Sequence, residues 1–90
     1  MALNHRMLER LVRGFSNHRR IQLLESLDRT PEQSVMELSR ALKTQFKTIA
    51  QHVQRLAQAG LVLKRSDGHS VRHKLSQRGN LILKFLRTIE

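Results

Sequence analysis

Apolar residues recur at helical spacing from the start of the chain. Leu3, Met7, Leu8, Leu11, Val12 and Phe15 form one stripe, which predicts an amphipathic helix over 3–14 that runs out near Gly14. Ser16 or Asn17 suits the N-cap of a second helix, whose apolar positions are Ile21, Leu23, Leu24 and Leu27. Thr30-Pro31 ends it, because a residue before proline avoids the helical region. Ser34-Val-Met-Glu37 then has the form of a capping box, opening a short helix with Val35, Leu38, Ala41 and Leu42 inward. The phase resets across Lys43-Thr44-Gln45. A fourth helix carries Ile49, Val53, Leu56 and Ala57 on one face, and Gly60 suits a left-handed position just past its end.

The period next changes from helix to strand. Leu61–Arg65 and His69–Leu75 flank Ser66-Asp67-Gly68. A two-residue Asp-Gly turn would pair Lys64 with Val71 and Leu63 with Arg72, mixing apolar and basic faces. A three-residue loop with Gly68 left-handed pairs Leu61 with His73 and Leu63 with Val71, leaving Lys64, Arg72 and Lys74 together on the opposite face. A one-residue slip inverts every side chain, so the register that segregates the faces is the expected one. The last segment, 77–89, returns to helical spacing with Ile82, Phe85, Leu86 and Ile89 on one stripe and Leu81 and Leu83 off it. A terminal helix apolar on more than one side needs a second surface to cover it.

The expected fold is therefore mainly α with a small β-hairpin: a winged helix-turn-helix of five helices and a two-stranded wing. It forms one domain over 1–90, with the helix-turn-helix at about 34–60 and the wing at about 61–75. Ninety residues bury little apolar surface alone. The chain has no cysteine to staple them. The last helix, apolar on more than one side, is the segment that calls for a second subunit. No apolar run reaches the ~18 residues needed to span a bilayer. The start of the chain is charged and lacks the apolar core of a signal peptide. A soluble, cytoplasmic protein without membrane contact is expected.

Charge changes the picture from fold to function. The formal net charge is +10. Residues 1–37 hold six basic and five acidic side chains, whereas 38–90 hold eleven basic ones against only Asp67 and Glu90. No acid occurs from 38 to 66. Such a field attracts polyanions. In a helix-turn-helix the second helix lies in the major groove, where its outer face must donate to base edges or phosphates. The candidates there are Thr44, Gln45, Phe46, Lys47, Thr48, Gln51, Gln54 and Arg55. Gln pairs with adenine and Lys donates to guanine. Phe46 has two open readings, as core edge or as an exposed contact for a thymine methyl. Lys64, Arg65, Arg72, Lys74 and, just beyond the hairpin, Arg78 are the candidate phosphate contacts of the wing.

These residues resemble a known family. Ser16-Asn-His-Arg-Arg-Ile-Gln-Leu-Leu24 is similar to the S-D-x-x-R-x-x-I-L opening of ArsR-type winged-helix repressors. Glu37-Leu-Ser-Arg-Ala-Leu42 and Thr48-Ile-Ala-Gln-His-Val-Gln-Arg-Leu-Ala-Gln-Ala-Gly-Leu-Val62 resemble its E-L-A-x-A-L…T-V-S-x-H-L-x-x-L-x-x-A-G-L-V core. Leu75-Ser-Gln-Arg-Gly79 looks like the L-T-x-x-G that follows the wing in MarR-type relatives. The resemblance implies a homodimeric transcriptional regulator on a pseudo-palindromic operator. Its dimer interface would be the terminal helices 3–14 and 77–89, through Leu3, Met7, Leu11, Leu81, Ile82, Phe85, Leu86 and Ile89. Two recognition helices about 34 Å apart would then match one turn of DNA. Three positions depart from the pattern. The cysteines, Asp and His of the metal sensors are missing, so no metal and no cofactor are expected. Gln45 stands where the recognition helix usually begins with Ser, making Thr44 a candidate substitute cap. Ser70, Arg72 and His73 replace the common wing aromatics.

The expected function is sequence-specific binding of double-stranded DNA, with nucleoid association when bound. Two alternatives are an RNA-binding winged helix and a protein-interaction module in a transcription or replication assembly. The missing stacking aromatics disfavour the first, and the acid-free run disfavours the second. His69 and His73 share a strand face and read best as wing-surface side chains. His52 reads as a packing or phosphate-touching residue. No nucleophile with an adjacent base, paired carboxylates or glycine-rich phosphate loop is present, so no enzyme chemistry is expected.

Overall fold

The computed structural model describes residues 2–90. Among them the elements run α1 (His5–Phe15), α2 (His18–Arg29), α3 (Val35–Leu42), α4 (Phe46–Gln58), β1 (Val62–Ser66), β2 (Val71–Leu75) and α5 (Gln77–Ile89). The five helices and the hairpin match the expected architecture. Leu3 precedes α1, which opens on Asn4: its side chain accepts from the Met7 N–H. Asn17, not Ser16, caps α2, accepting from the N–H groups of Arg19 and Arg20. Ser34 and Glu37 form the full capping box on α3.

The core is built from one face of each inner helix. Leu23, Leu24 and Leu27 of α2, Leu38 of α3, and Ile49, Val53 and Leu56 of α4 are buried together with Leu61, Val62 and Leu83. Each such side chain contributes about 1.5–3 kcal/mol through its removal from water. The α3–α4 turn passes through Lys43, whose φ of 51° is left-handed. Thr44 does not cap α4. Its hydroxyl donates back to the Leu42 carbonyl, and Gln45 at the cap position makes no side-chain bond. Gly60, with a φ of 77°, ends α4 as its place after the helix requires.

The hairpin register differs from the expected one. Val62 pairs with Leu75, Leu63 with Lys74, Lys64 with His73, Arg65 with Arg72 and Ser66 with Val71. The cause is the turn. Asp67 accepts from the N–H groups of His69 and Ser70, and its own N–H donates to the Ser70 carbonyl. This arrangement draws His69 and Ser70 into a loop over 67–70 and shifts the pairing by an odd number of residues. The faces therefore invert. Lys64 shares its face with Val62 and His73, while Leu63, Arg65, Arg72 and Lys74 share the other. Gly68 is left-handed as expected, with a φ of 92°.

Behind the hairpin, Gln33 adds an isolated antiparallel bridge to His73. Glu32 N–H donates to the His73 carbonyl and His73 N–H to the Gln33 carbonyl. At the other end, Ser76 caps α5 through the Gly79 N–H, and its hydroxyl donates to the Gly60 carbonyl at 2.6 Å. Its N–H also donates to the Leu61 carbonyl. These bonds bring α5 so close that a Cβ on Gly79 would collide with the Leu61 carbonyl oxygen. Backbone cannot step aside as a side chain end can. Gly79→Ala is expected to destabilise the fold by roughly 1–3 kcal/mol in urea unfolding, as overpacking does; an unchanged midpoint would contradict this packing.

Candidate nucleic-acid interface

The inward stripe of α4 determines what points outward. With Ile49, Val53 and Leu56 buried, Lys47, Gln51 and Gln54 lie at i, i+4 and i+7 on the exposed face. Gln45 and Arg55 are also exposed, and Thr44 and Thr48 are partly buried. Phe46 is 51% exposed at the first turn, which excludes the core reading. It borders an apolar cleft of about 290 Å³ with Val35, Met36 and Val71, between the helix-turn-helix and the wing.

The five wing candidates do not form one group. Lys64 and Lys74 are exposed, on opposite faces, with no carboxylate partner among the described residues. Arg65 pairs with Glu32 at 3.1 Å. Arg72 is engaged three ways: Nε to Asp67 at 3.0 Å, one terminal nitrogen to Glu37 at 2.8 Å and to the Glu32 carbonyl at 3.2 Å. It thereby ties the wing loop to the first turn of α3. The Ser70 and His69 N–H groups, with Arg72, hold the Asp67 carboxyl well below the usual carboxylate range. Ser34 at the helix cap likewise lowers Glu37, and its contact with Asp67 raises Arg72. Arg78 is not part of the wing at all. It is next to Gly60 and borders a hollow with Gln58, Met7 and Leu11.

His73 is a further correction, being 2% exposed rather than on the wing surface. Its Nδ1 lies 2.9 Å from the Gln33 carbonyl, which can only accept, so Nδ1 carries the proton. The Gln33 side-chain amide in turn donates to the Ser26 and Thr30 carbonyls. His69 stays exposed at the loop. Among the described residues, no group of three or more His, Asp or Glu could hold a metal ion. No helix there is long and apolar enough to cross a membrane.

The expected interface residues of the terminal helices divide in two. Leu11, Ile82 and Leu86 pack against the core, whereas Leu3, Met7, Leu81, Phe85 and Ile89 are exposed. The sequence reading also missed one group. The start of α2 sets His18, Arg19 and Arg20 near His52 of α4. The only signal was the basic run His18-Arg19-Arg20 itself, which reads equally well as solvated helix surface.

Comparison with known proteins places this geometry. The family model described as HVO_A0114 matches residues 16–76. The chain belongs to the HVO_A0114 family, and its structural neighbours are winged helix regulators of the ArsR/MarR type. HlyU of Vibrio cholerae N16961 is 31% identical, with a TM-score of 0.81 over 96% of this chain and 90% of that one. HlyU of Vibrio vulnificus CMCP6, a transcriptional regulator, is 30% identical, with a TM-score of 0.75 over 91% and 85%. The homodimeric winged helix-turn-helix DNA-binding domain Mb0332 of Mycobacterium bovis shares the fold, at 21% identity and a TM-score of 0.84 over 92% and 77%. No curated protein matches by sequence.

In this family member the buried histidine has a measurable consequence. Burial pushes the His73 pKa below its ordinary value, against the hydrogen bond to Gln33, and burial and Arg20 lower His52 in the same direction. The unfolded chain then binds protons first, so stability is full above about pH 6.5 and falls as the pH drops below it. Urea unfolding at pH 7.5 and pH 5.5 is expected to show lower stability at the acid value, with His73→Gln reducing the difference. Equal stabilities at the two values would overturn the assignment of His73 as a buried neutral imidazole.

Proposed function

We propose that this protein is a homodimeric transcriptional regulator that binds duplex DNA sequence-specifically. α4 would lie in the major groove and the wing along the phosphates. The observation that carries this reading is the outer stripe of α4. Lys47, Gln51 and Gln54 are exposed together on a helix with no acidic residue. A groove-reading helix needs side chains there that can bond base edges, and the lack of carboxylates spares it repulsion by the phosphates. Thr44, Gln45, Phe46, Thr48 and Arg55 complete the reading surface, with exposed Phe46 as the candidate for a thymine methyl. Transcriptional regulators among the relatives of similar sequence support the same reading.

Within the wing the roles divide. Lys64 and Lys74, which have no acidic partner among the described residues, are the phosphate contacts. Arg65 and Arg72, already engaged by carboxylates, hold the wing against α3 and set its angle. The exposed Leu3, Met7, Leu81, Phe85 and Ile89 are assigned to the dimer interface, which would cover the apolar side chains that the terminal segments leave in water. On this reading the protein works in the cytoplasm, associated with the nucleoid when bound.

Anisotropy titration of a mixed-sequence duplex across salt tests the DNA reading. Log K is expected to fall with log salt, and Lys64→Ala and Lys74→Ala each to reduce the slope by about 0.9. A flat response, or no binding at low salt, would refute duplex binding. Lys47→Ala and Gln51→Ala should lose discrimination among selected operators, each by roughly 1–3 kcal/mol per contact. Sedimentation at micromolar concentration tests the dimer, and a monomer alone would contradict it.

A further inference from the structure

Two adjoining hollows run along the side of α4 that faces α2 and α1. One, of about 670 Å³, is lined by Gln51, His52, Gln54, Arg55 and Gln58 of α4 and by Arg20 of α2. The next, of about 240 Å³, shares Arg20 and Arg55 and adds Arg10 and Arg13 of α1. Together they form a trough with four guanidinium groups on its walls and no carboxylate. Arg13 has Glu9 at 3.4 Å. Arg10, Arg20 and Arg55 have no acidic partner among the described residues.

This distribution is the reverse of the wing. There, both arginines are neutralised by carboxylates of the same chain. Here Arg10, Arg20 and Arg55 line one concave surface with no carboxylate partner among the described residues, and the buried Arg20 Nε has no hydrogen-bond partner there either. Like charges gathered in one concave surface repel unless an anion joins them. Guanidinium groups in such an array suit phosphate oxygens, which they can grip with paired hydrogen bonds. The trough also opens on the reading face, since Gln51 and Gln54 belong to both. Any duplex touched by that stripe brings its own phosphates alongside.

We propose that this trough is a second phosphate-binding surface, distinct from the wing, which takes the sugar-phosphate backbone flanking the groove that α4 enters. Arg20 and Arg55 are its central contacts, and Arg10 and Arg13 extend it along α1. This rests on the DNA-binding reading above. Its effect is on affinity for all sequences alike, because backbone contacts carry no base information.

The salt dependence of binding to a mixed-sequence duplex tests it with Arg20→Gln, Arg55→Gln and the pair. Each single variant is expected to weaken binding to every duplex and reduce the salt slope by about 0.9, and the pair by about twice that. Arg87→Gln removes the same charge from an ion pair with Asp28 outside the trough and should leave the slope unchanged. Arg20→Lys keeps the charge and should retain most of the slope. If Arg20→Gln does not fold, exposed Arg55 decides the matter alone. Folded variants with wild-type slopes would overturn the second surface while leaving duplex binding intact. Absence of wild-type binding at low salt would overturn both. Variants with wild-type slopes that sediment as monomers would make the trough a subunit contact, and the proposal would fail.

Discussion

The burial of Ile49, Val53 and Leu56 against α2 and α3 is the contact on which the rest depends. A helix has one rotation about its axis, so once those three side chains are enclosed by Leu23, Leu24, Leu27 and Leu38 the remaining positions of α4 have fixed directions. Lys47, Gln51 and Gln54 point to solvent as a consequence, not through contacts of their own. The same rotation turns His52 and Arg55 toward α2. One packing decision thus creates both the outer stripe and the cationic trough beside it.

The wing is held by a different kind of interaction. Few apolar side chains anchor it, since Leu61 and Val62 are buried at its base but Leu63 and Val71 are exposed. Polar bonds do the fastening instead. His73 bridges to Gln33, whose side chain reaches the end of α2, and Arg72 joins the loop to α3 through Asp67 and Glu37. Hairpin and helix-turn-helix are therefore joined at several points. Exposed ion pairs of this sort are individually weak and screened by salt. The buried pairing of His73 with Gln33 is the more durable half of the attachment.

Charge is partitioned with the same economy. Arginines that position the wing are matched with acids from the loop before α3 and from α3 itself, so the scarce carboxylates of the chain are spent on structure. Lys47 and Arg55 of α4 and Lys64 of β1, within the acid-free run from 38 to 66, have no carboxylate partner among the described residues. Unpaired guanidinium groups are gathered around Arg20 and Arg55, where they line the same hollows. Ser76 and Gly79 close the other end of the molecule, setting α5 against Leu61 and leaving Leu81, Phe85 and Ile89 outward.

The sequence by itself determined the order and type of every element. Helical and strand periods, the Ser34–Glu37 capping box, the Thr30-Pro31 stop and Gly60 are local signals, read within a few residues of where they act. The outer face of α4 was legible for the same reason, because it is the complement of a periodic apolar stripe. The hairpin register turned on hydrogen bonds within the folded loop, which no alternation of apolar and polar residues encodes. Asp67 capping two N–H groups lengthened the loop by residues that look like strand, and an odd shift sent Lys64 to the side of His73. Burial of His73 depended on Gln33, forty positions away. The partners of Arg65 and Arg72, the placement of Arg78 beside α1, and the meeting of Arg20 with Arg55 are likewise contacts between distant segments. A charge in a sequence has a sign but no neighbour until the chain folds, and the neighbour determines whether it fastens the fold or awaits a partner.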